Sequence, residues 1–180
     1  METKVLYISY DGILEPLGFS QVFGYLKILS ESCSITLISF EKPQDLMDIE
    51  KEYRQQQSQL LDNITSDYEV SIQARLDAAK ETPSKTIGEI LIKIEPVLNK
   101  EKPDAVLILG DTNSCIAGVM AKRLHIPIYH MEAGNRSFDL NVPEEINRRI
   151  IDHIADFNLA YTENSRRHLL SEGLHHRRIY

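Results

Sequence analysis

The residues best equipped for chemistry lie in three short clusters. Gly110, Asp111, Thr112, Asn113 and Ser114 directly follow the apolar run at 105–109. Gly110 permits a sharp turn, and Asp111 would emerge where that run ends. Thr112, Asn113 and Ser114 could cap a following helix whose free N–H groups would face a ligand. An Asp in this place is equally suited to being a helix cap and nothing more. The second cluster, His130 to Arg136 (HMEAGNR), follows another apolar run. A carboxylate at the end of an apolar strand is costly to desolvate unless it is paired. Arg136 is near enough in sequence to pair with Glu132, and the bland reading is a structural ion pair. His130 reads as a packed or hydrogen-bonded core histidine. The third cluster is Pro143 to Arg149 (PEEINRR). Proline followed by acids is ordinary helix-start chemistry. Glu144 with Arg148, and Glu145 with Arg149, stand four apart and would share helix faces, which stabilises an exposed helix by only ~0.2–0.5 kcal/mol per pair. If this helix start lies against the sheet edge, one pair points into the cleft and the other into solvent; spacing alone slightly favours a solvated face.

Asp111, Glu132 and Glu144 would then share one edge, with Arg136 and Arg148 among them. Carboxylates move protons, and arginines hold phosphate oxygens bidentately. The set suits proton abstraction beside a phosphorylated leaving group. It does not suit hydride transfer, since no GxGxxG follows a predicted strand. Walker, HExxH, paired CxxC and GxSxG patterns are absent as well, and no residues have metal-ligand spacing. A net charge of −7 argues against a nucleic-acid binder, yet a few local cations suffice for a small phosphate-bearing ligand.

The elements that must position these residues alternate. Apolar runs at 4–10, 34–40, 105–109, 126–131 and 157–161 read as strands, and 68–72 alternates like one. Helical spacing marks 20–30, 45–61, 113–124 and 165–171, with 73–80 as a short helix. Ser84 is the expected N-cap of a helix carrying Ile87, Leu91, Ile94 and Leu98 on one stripe, and Pro96 should kink it or end it early. The helix from Pro143 is expected to turn Ile146, Ile150 and Ile154 inward. A further strand should begin at 178–180. Strands alternating with helices imply a parallel sheet covered on both faces, a doubly wound Rossmann-like α/β domain spanning 1–180. Ligands of such sheets bind beyond the carboxyl ends of the strands, where the three clusters fall. The chain stops as a strand starts, so truncation or a lost second half is expected. Cys33 and Cys115 read as reduced buried thiols. No leader or membrane-length apolar run is visible, and a cytoplasmic location is expected.

At these same residues the sequence resembles a known family. KPDAVLILGDTNS, IPIYHMEAGNRSFD, VPEEINRRIIDHIADFNLAYTE and LLSEGL follow the order and spacing of the non-hydrolysing UDP-N-acetylglucosamine 2-epimerases, from about residue 84 to 180. The MEAGNR form, with Asn135, is closest to members that make rarer bacterial surface sugars from UDP-linked acetamido-dideoxy sugars or uronates. The resemblance implies the first half of a two-domain GT-B-type architecture, with the UDP-sugar between the domains. It implies inversion at C2 by elimination of UDP and its return, with no cofactor. The family's catalytic carboxylates fall on Asp111, Glu132 and Glu144, and its arginine on Arg148. Gly110, Thr112, Asn113, Asn135 and Arg136 around them are the expected substrate contacts. Homodimerisation, or completion by a carboxyl-terminal domain, is the expected partnership.

The front departs from that pattern. The family's basic GTRPE-type loop is replaced by residues 10–18, which contain no Arg or Lys. Residues 4–46 instead resemble the opening of group 1 glycosyltransferases, which share the two-domain plan. A glycosyltransferase amino-terminal domain is therefore the alternative reading. A half-enzyme that is inactive alone is the other, since half a cleft lacks enclosure.

Overall fold

A computed structural model describes residues 3–9, 25–26, 28–39, 71–75, 78 and 80–180. The order is β1 (Lys4–Ser9), β2 (Ser34–Ser39), β3 (Ser71–Arg75), α1 (Pro83–Glu101), β4 (Ala105–Leu109), a 3-10 turn (Asn113–Ile116) running into α2 (Ala117–Arg123), β5 (Ile128–Met131), α3 (Pro143–Ile154), β6 (Phe157–Leu159), α4 (Glu163–Ser171) and a last 3-10 turn (His176–Arg178). The sheet runs β3-β2-β1-β4-β5-β6, and every pairing is parallel. The chain winds outward from β1 in both directions, so the reversal of strand order falls between β1 and β4, the place where such sheets open a crevice.

Period-two alternation sends successive side chains to opposite faces. Leu6 and Ile8 of β1, with Val106 and Ile108 of β4 and Ile128 of β5, pack beneath α1, α2 and α3. Tyr7, Ile35, Leu37, Leu107 and Met131 form the other layer with Leu26. Residues 25–26 and 28–30 are helical, as expected. The expectations for 10–18 and 45–61 lie outside the described residues, as do residues 76, 77 and 79 of the 73–80 segment. Gln73 to Arg75 belongs to β3 instead of a helix. Among the described residues no helix is long and apolar enough to cross a membrane.

Several boundaries differ from the sequence reading for local reasons. Thr82, not Ser84, caps α1: its hydroxyl accepts from the Lys85 N–H at 3.3 Å, with Pro83 in the first turn. The buried stripe is Thr86, Ile90, Ile94 and Leu98, and Ile87 and Leu91 flank it. α1 runs through Pro96 to Glu101. Pro96 is exposed, as is Ile92, whose carbonyl loses its bond to the missing N–H, so water can serve it while the buried stripe continues on both sides. Arg178 ends the last 3-10 turn and Ile179 makes one parallel bridge to Asn158, so residues 178–180 stop short of a strand.

Candidate functional site

The two sheet-edge clusters meet because β4 and β5 are neighbours in register, Leu109 opposite Met131. Gly110 continues the pairing, donating its N–H to the Met131 carbonyl at 3.3 Å. Its φ of +73° turns the chain toward Asp111. A Cβ on Gly110 would come within 3.4 Å of Glu132 Oε2, so the Glu132 carboxylate lies across this glycine. Glu132 has a φ of +65°, a left-handed conformation that costs an L-residue roughly 1–2 kcal/mol. Backbone strain of this kind collects where a side chain must be aimed. Asp111, Thr112 and Asn113 are half-buried. Thr112 occupies the cap position but makes no capping hydrogen bond; its hydroxyl meets that of Ser114 at 3.0 Å. Asn113 accepts from Asn147 Nδ2 at 3.1 Å, tying the loop to α3.

On another flank of Glu132 stand two phenols. Burial first, then Tyr25, then the Glu132 charge push the Tyr7 hydroxyl above the ordinary tyrosine range. Tyr161 is raised as well, by burial, then by Tyr25, with Glu132 and Tyr7 adding to it. The Tyr7 hydroxyl is buried and has no hydrogen-bond partner among the described residues.

α3 inverts the expected amphipathicity. Glu145, Asn147, Ile151 and Asp152 are its buried residues. Ile146 and Ile150 are 46% and 39% exposed, so of the expected inward isoleucine stripe only Ile154 packs, partly buried, against the core. The reason is a chain of charges that starts at Asp111. Arg148 Nε donates to Asp111 Oδ2 at 2.5 Å, and its Nη1 donates to Glu145 Oε2 at 3.0 Å. Arg149 Nε and Nη2 donate to Glu145 Oε1 at 2.9 and 2.8 Å. Arg149 Nη1 reaches Glu172 Oε1 at 2.9 Å. Arg136 clamps Glu172 with two bonds of 2.7 Å, and its Nη1 donates to Asp152 Oδ2 at 2.7 Å. Asp152 Oδ1 meets His130 Nδ1 at 2.8 Å, and His130 Nε2 meets the Gly110 carbonyl at 3.0 Å. Since Gly110 precedes Asp111, the chain closes into a ring.

The ring decides which candidates stand together. Asp111, Glu132, Arg148, Asn135, Gly110 and Asn113 share one neighbourhood, with the Asn135 carbonyl accepting from Arg148 at 3.2 Å. Arg136 does not join them. Its side chain is fully buried and is taken up by Glu172, Asp152 and the Asn135 carbonyl rather than by Glu132. Burial would lower the Arg136 guanidinium, but Glu172 and Asp152 outweigh it and hold the group above its ordinary range. Glu144 is exposed on the first turn of α3, and among the described residues no ion pair engages it. Arg148 pairs three residues back with Glu145 instead of four back with Glu144. His130 is fully buried and hydrogen-bonded at both ring nitrogens, as a core histidine should be.

Glu145, read in the sequence only as the helix partner of Arg149, and Asp152 and Glu172, not singled out there, complete the ring. Burial would raise Glu145, but the Ser137 N–H and Arg149 outweigh it and hold the carboxyl below the usual range. Arg136 above all holds Glu172 low. A sequence signal existed for the first two: positions 145, 148, 149 and 152 form a charged stripe at helical spacing, parallel to the isoleucine one. Nothing local marks Glu172. Cys115 is buried and Cys33 partly so; their thiols donate to the Asn147 and Leu29 carbonyls at 3.8 and 3.1 Å. Among the described residues no group of side chains could hold a metal ion.

The family described as UDP-N-acetylglucosamine 2-epimerase matches residues 51–180. A UDP-N-acetylglucosamine 2-epimerase from Methanocaldococcus jannaschii is 47% identical over 106 residues, which are 58% of this chain and 29% of that protein. A UDP-2,3-diacetamido-2,3-dideoxy-D-glucuronate 2-epimerase from Pseudomonas aeruginosa is 45% identical over 100 residues, 55% of this chain and 28% of that one. The solved UDP-N-acetylglucosamine 2-epimerase of Rickettsia bellii superposes with a TM-score of 0.79 at 37% identity, over 99% of this chain and 44% of its own. The chain thus spans under half the length of these proteins. With the family's pattern running through the loops after β4 and β5 and the start of α3, the chain belongs to the UDP-N-acetylglucosamine 2-epimerase family.

Proposed function

We propose that this chain supplies the amino-terminal half of a site that inverts C2 of a UDP-linked N-acetylhexosamine. We read residues 1–180 as one Rossmann-like domain. The single observation that carries the proposal is the meeting of Asp111 and Glu132 at adjacent strand ends, with Arg148 bound to Asp111. Asp111, Glu132 and Glu144 are the acid–base candidates, and Arg148 the group that steadies negative charge. Glu132 or Glu144 takes the proton from C2 as the C1–O bond to UDP breaks. The electron pair of the C2–H bond becomes the C1–C2 double bond, and that of the C1–O bond leaves with UDP. In return, a proton reaches the opposite face of C2 while a UDP oxygen rebonds to C1. Nothing is oxidised or reduced, so no cofactor is required. Gly110, Thr112, Asn113 and Asn135 line this neighbourhood as substrate contacts. Arg136 supports them from the buried ring, so its contribution to substrate is indirect.

The relative from Pseudomonas aeruginosa extends the candidate substrates to UDP-linked diacetamido uronates. Family membership favours epimerisation over the glycosyltransferase reading of residues 4–46. Completion by a carboxyl-terminal domain, or by a second copy, provides the enclosure a ligand needs.

The test is incubation with UDP-N-acetylglucosamine, or with its diacetamido uronate counterpart, in heavy water. The chain is used alone and joined to the carboxyl-terminal domain of a relative. Deuterium should enter C2 in the joined form. No exchange with either sugar in that form would sink the proposal.

A further inference from the structure

We infer that His130 carries a proton on both ring nitrogens and, as a buried cation, is a positioning residue for Asp111. The role given to Asp111 rests on the epimerase reading; the two protons do not. His130 is completely buried between β4 and α3, and each nitrogen faces an acceptor. The Gly110 carbonyl can only accept, so Nε2 must donate across the 3.0 Å gap. Asp152, 2.8 Å from Nδ1, is equally without a proton of its own. Its Oδ2 takes Arg136 Nη1 at 2.7 Å, and the Gly134 N–H points at both oxygens from 3.3 and 3.2 Å. A proton on Oδ2 would set a donor among donors, and one on Oδ1, aimed at a bare Nδ1, would leave the buried Arg136 guanidinium beside a neutral carboxyl, so the proton belongs on Nδ1.

The charges of the ring lead to the same place. The carboxylates of Asp111, Glu145, Asp152 and Glu172 meet the guanidiniums of Arg136, Arg148 and Arg149, one cation too few. His153 touches Glu172 only at 3.4 Å from a side chain 43% exposed. Among the described residues, a doubly protonated His130 closes this balance at a side chain that no water reaches. It also explains how α3 controls the loop after β4. Asp152 holds the imidazolium, the imidazolium holds the Gly110 carbonyl, and the next residue is Asp111, which Arg148 of the same helix holds from the other side. The groups facing His130 are therefore Asp152 and, behind it, Arg136 from one side, and the Gly110–Asp111 loop from the other.

The experiment is nitrogen NMR on the full chain labelled with 15N-histidine, near neutral pH. The expected result is a His130 ring with two proton-bearing nitrogens, coupled to two slowly exchanging ring protons. One bare nitrogen on His130 would overturn the inference. Asp152→Asn provides the second arm. Its amide cannot stabilise the cation, so one ring nitrogen should lose its proton, and the Gly110 carbonyl and Asp111 carboxyl carbon resonances should shift. Resonances of Gly110 and Asp111 that stay put while the ring loses its proton would refute the positioning role. If Asp152→Asn does not fold, the same resonances are compared in His130→Gln. No sugar nucleotide enters these measurements, so their failure and a failure of C2 exchange are separate results.

Discussion

Glu145→Gln separates the two adjacent acids of α3 most sharply. The Glu145 side chain is fully buried and accepts from Ser137 N at 2.9 Å, Ser137 Oγ at 3.2 Å, Arg148 Nη1 at 3.0 Å, and Arg149 Nε and Nη2 at 2.9 and 2.8 Å. Glutamine has nearly the same shape but one acceptor oxygen and no charge. If its NH2 replaces Oε1 it faces both Arg149 donors; if it replaces Oε2 it faces Ser137 and Arg148. Either way at least two hydrogen bonds become donor–donor contacts, and two guanidiniums lose a buried partner. Breaking a buried ion pair from one side costs about 3–5 kcal/mol. With a urea slope of roughly 2 kcal/mol/M for a domain of this size, the midpoint should fall by about 1.5–2.5 M at unchanged slope. Glu144→Gln, one residue away and exposed, should stay within ~0.5 kcal/mol of the parent. Circular dichroism through a urea titration measures both. A Glu145→Gln loss under ~1 kcal/mol would show that the charge ring does not hold α3 against the sheet, since even the lower bound for a broken buried pair lies above it.

Two further outcomes follow from the same geometry. Gly134→Ala places a Cβ 2.3 Å from the Ser165 carbonyl oxygen at a φ of +81°, and the backbone of α4 cannot yield cheaply. Left-handed strain and overpacking together should cost about 2–5 kcal/mol, read as a lower melting temperature; an unchanged melting temperature would contradict the packing of α4 on this turn. Glu145 and Glu172 are held below the usual carboxylate range in the folded chain. Their contribution is therefore complete above the unfolded value of about 4.3 and fades as pH drops through the folded values. Urea midpoints measured downward from pH 6 should be level at first and then decline below about pH 4.3, more steeply for the parent than for Glu172→Gln; parallel curves would mean the ring does not couple to folding.

Much was legible without coordinates because it depends on short-range pattern. Continuous apolar runs as short as 105–109, bounded by turn residues, read as strands buried on both faces, and their alternation with helices implies a parallel sheet. That placed Asp111 and Glu132 just beyond strand ends before any distance was known. Burial within a helix is a different matter. α3 offers an isoleucine stripe and a charged stripe of equal regularity, and hydrophobicity alone chooses the wrong one. The charged stripe wins because partners from the turns after β4 and β5 and from the end of α4 reach it and complete every hydrogen bond, which removes the penalty for burying it. Pro96 similarly reads as a stop until the buried stripe on both sides of it is seen.

The sequence by itself determined the alternation of strands and helices, the edge on which the acids emerge, and the residue types able to move a proton beside a phosphate. Tertiary structure alone decided that Glu145 faces in and Glu144 out, that Arg136 serves the interior, and that His130 joins α3 to the loop bearing Asp111. The physical reason is distance along the chain. Periodicity is written in neighbours three or four residues apart, whereas the partners that make a buried charge tolerable arrive from as far as 37 residues away.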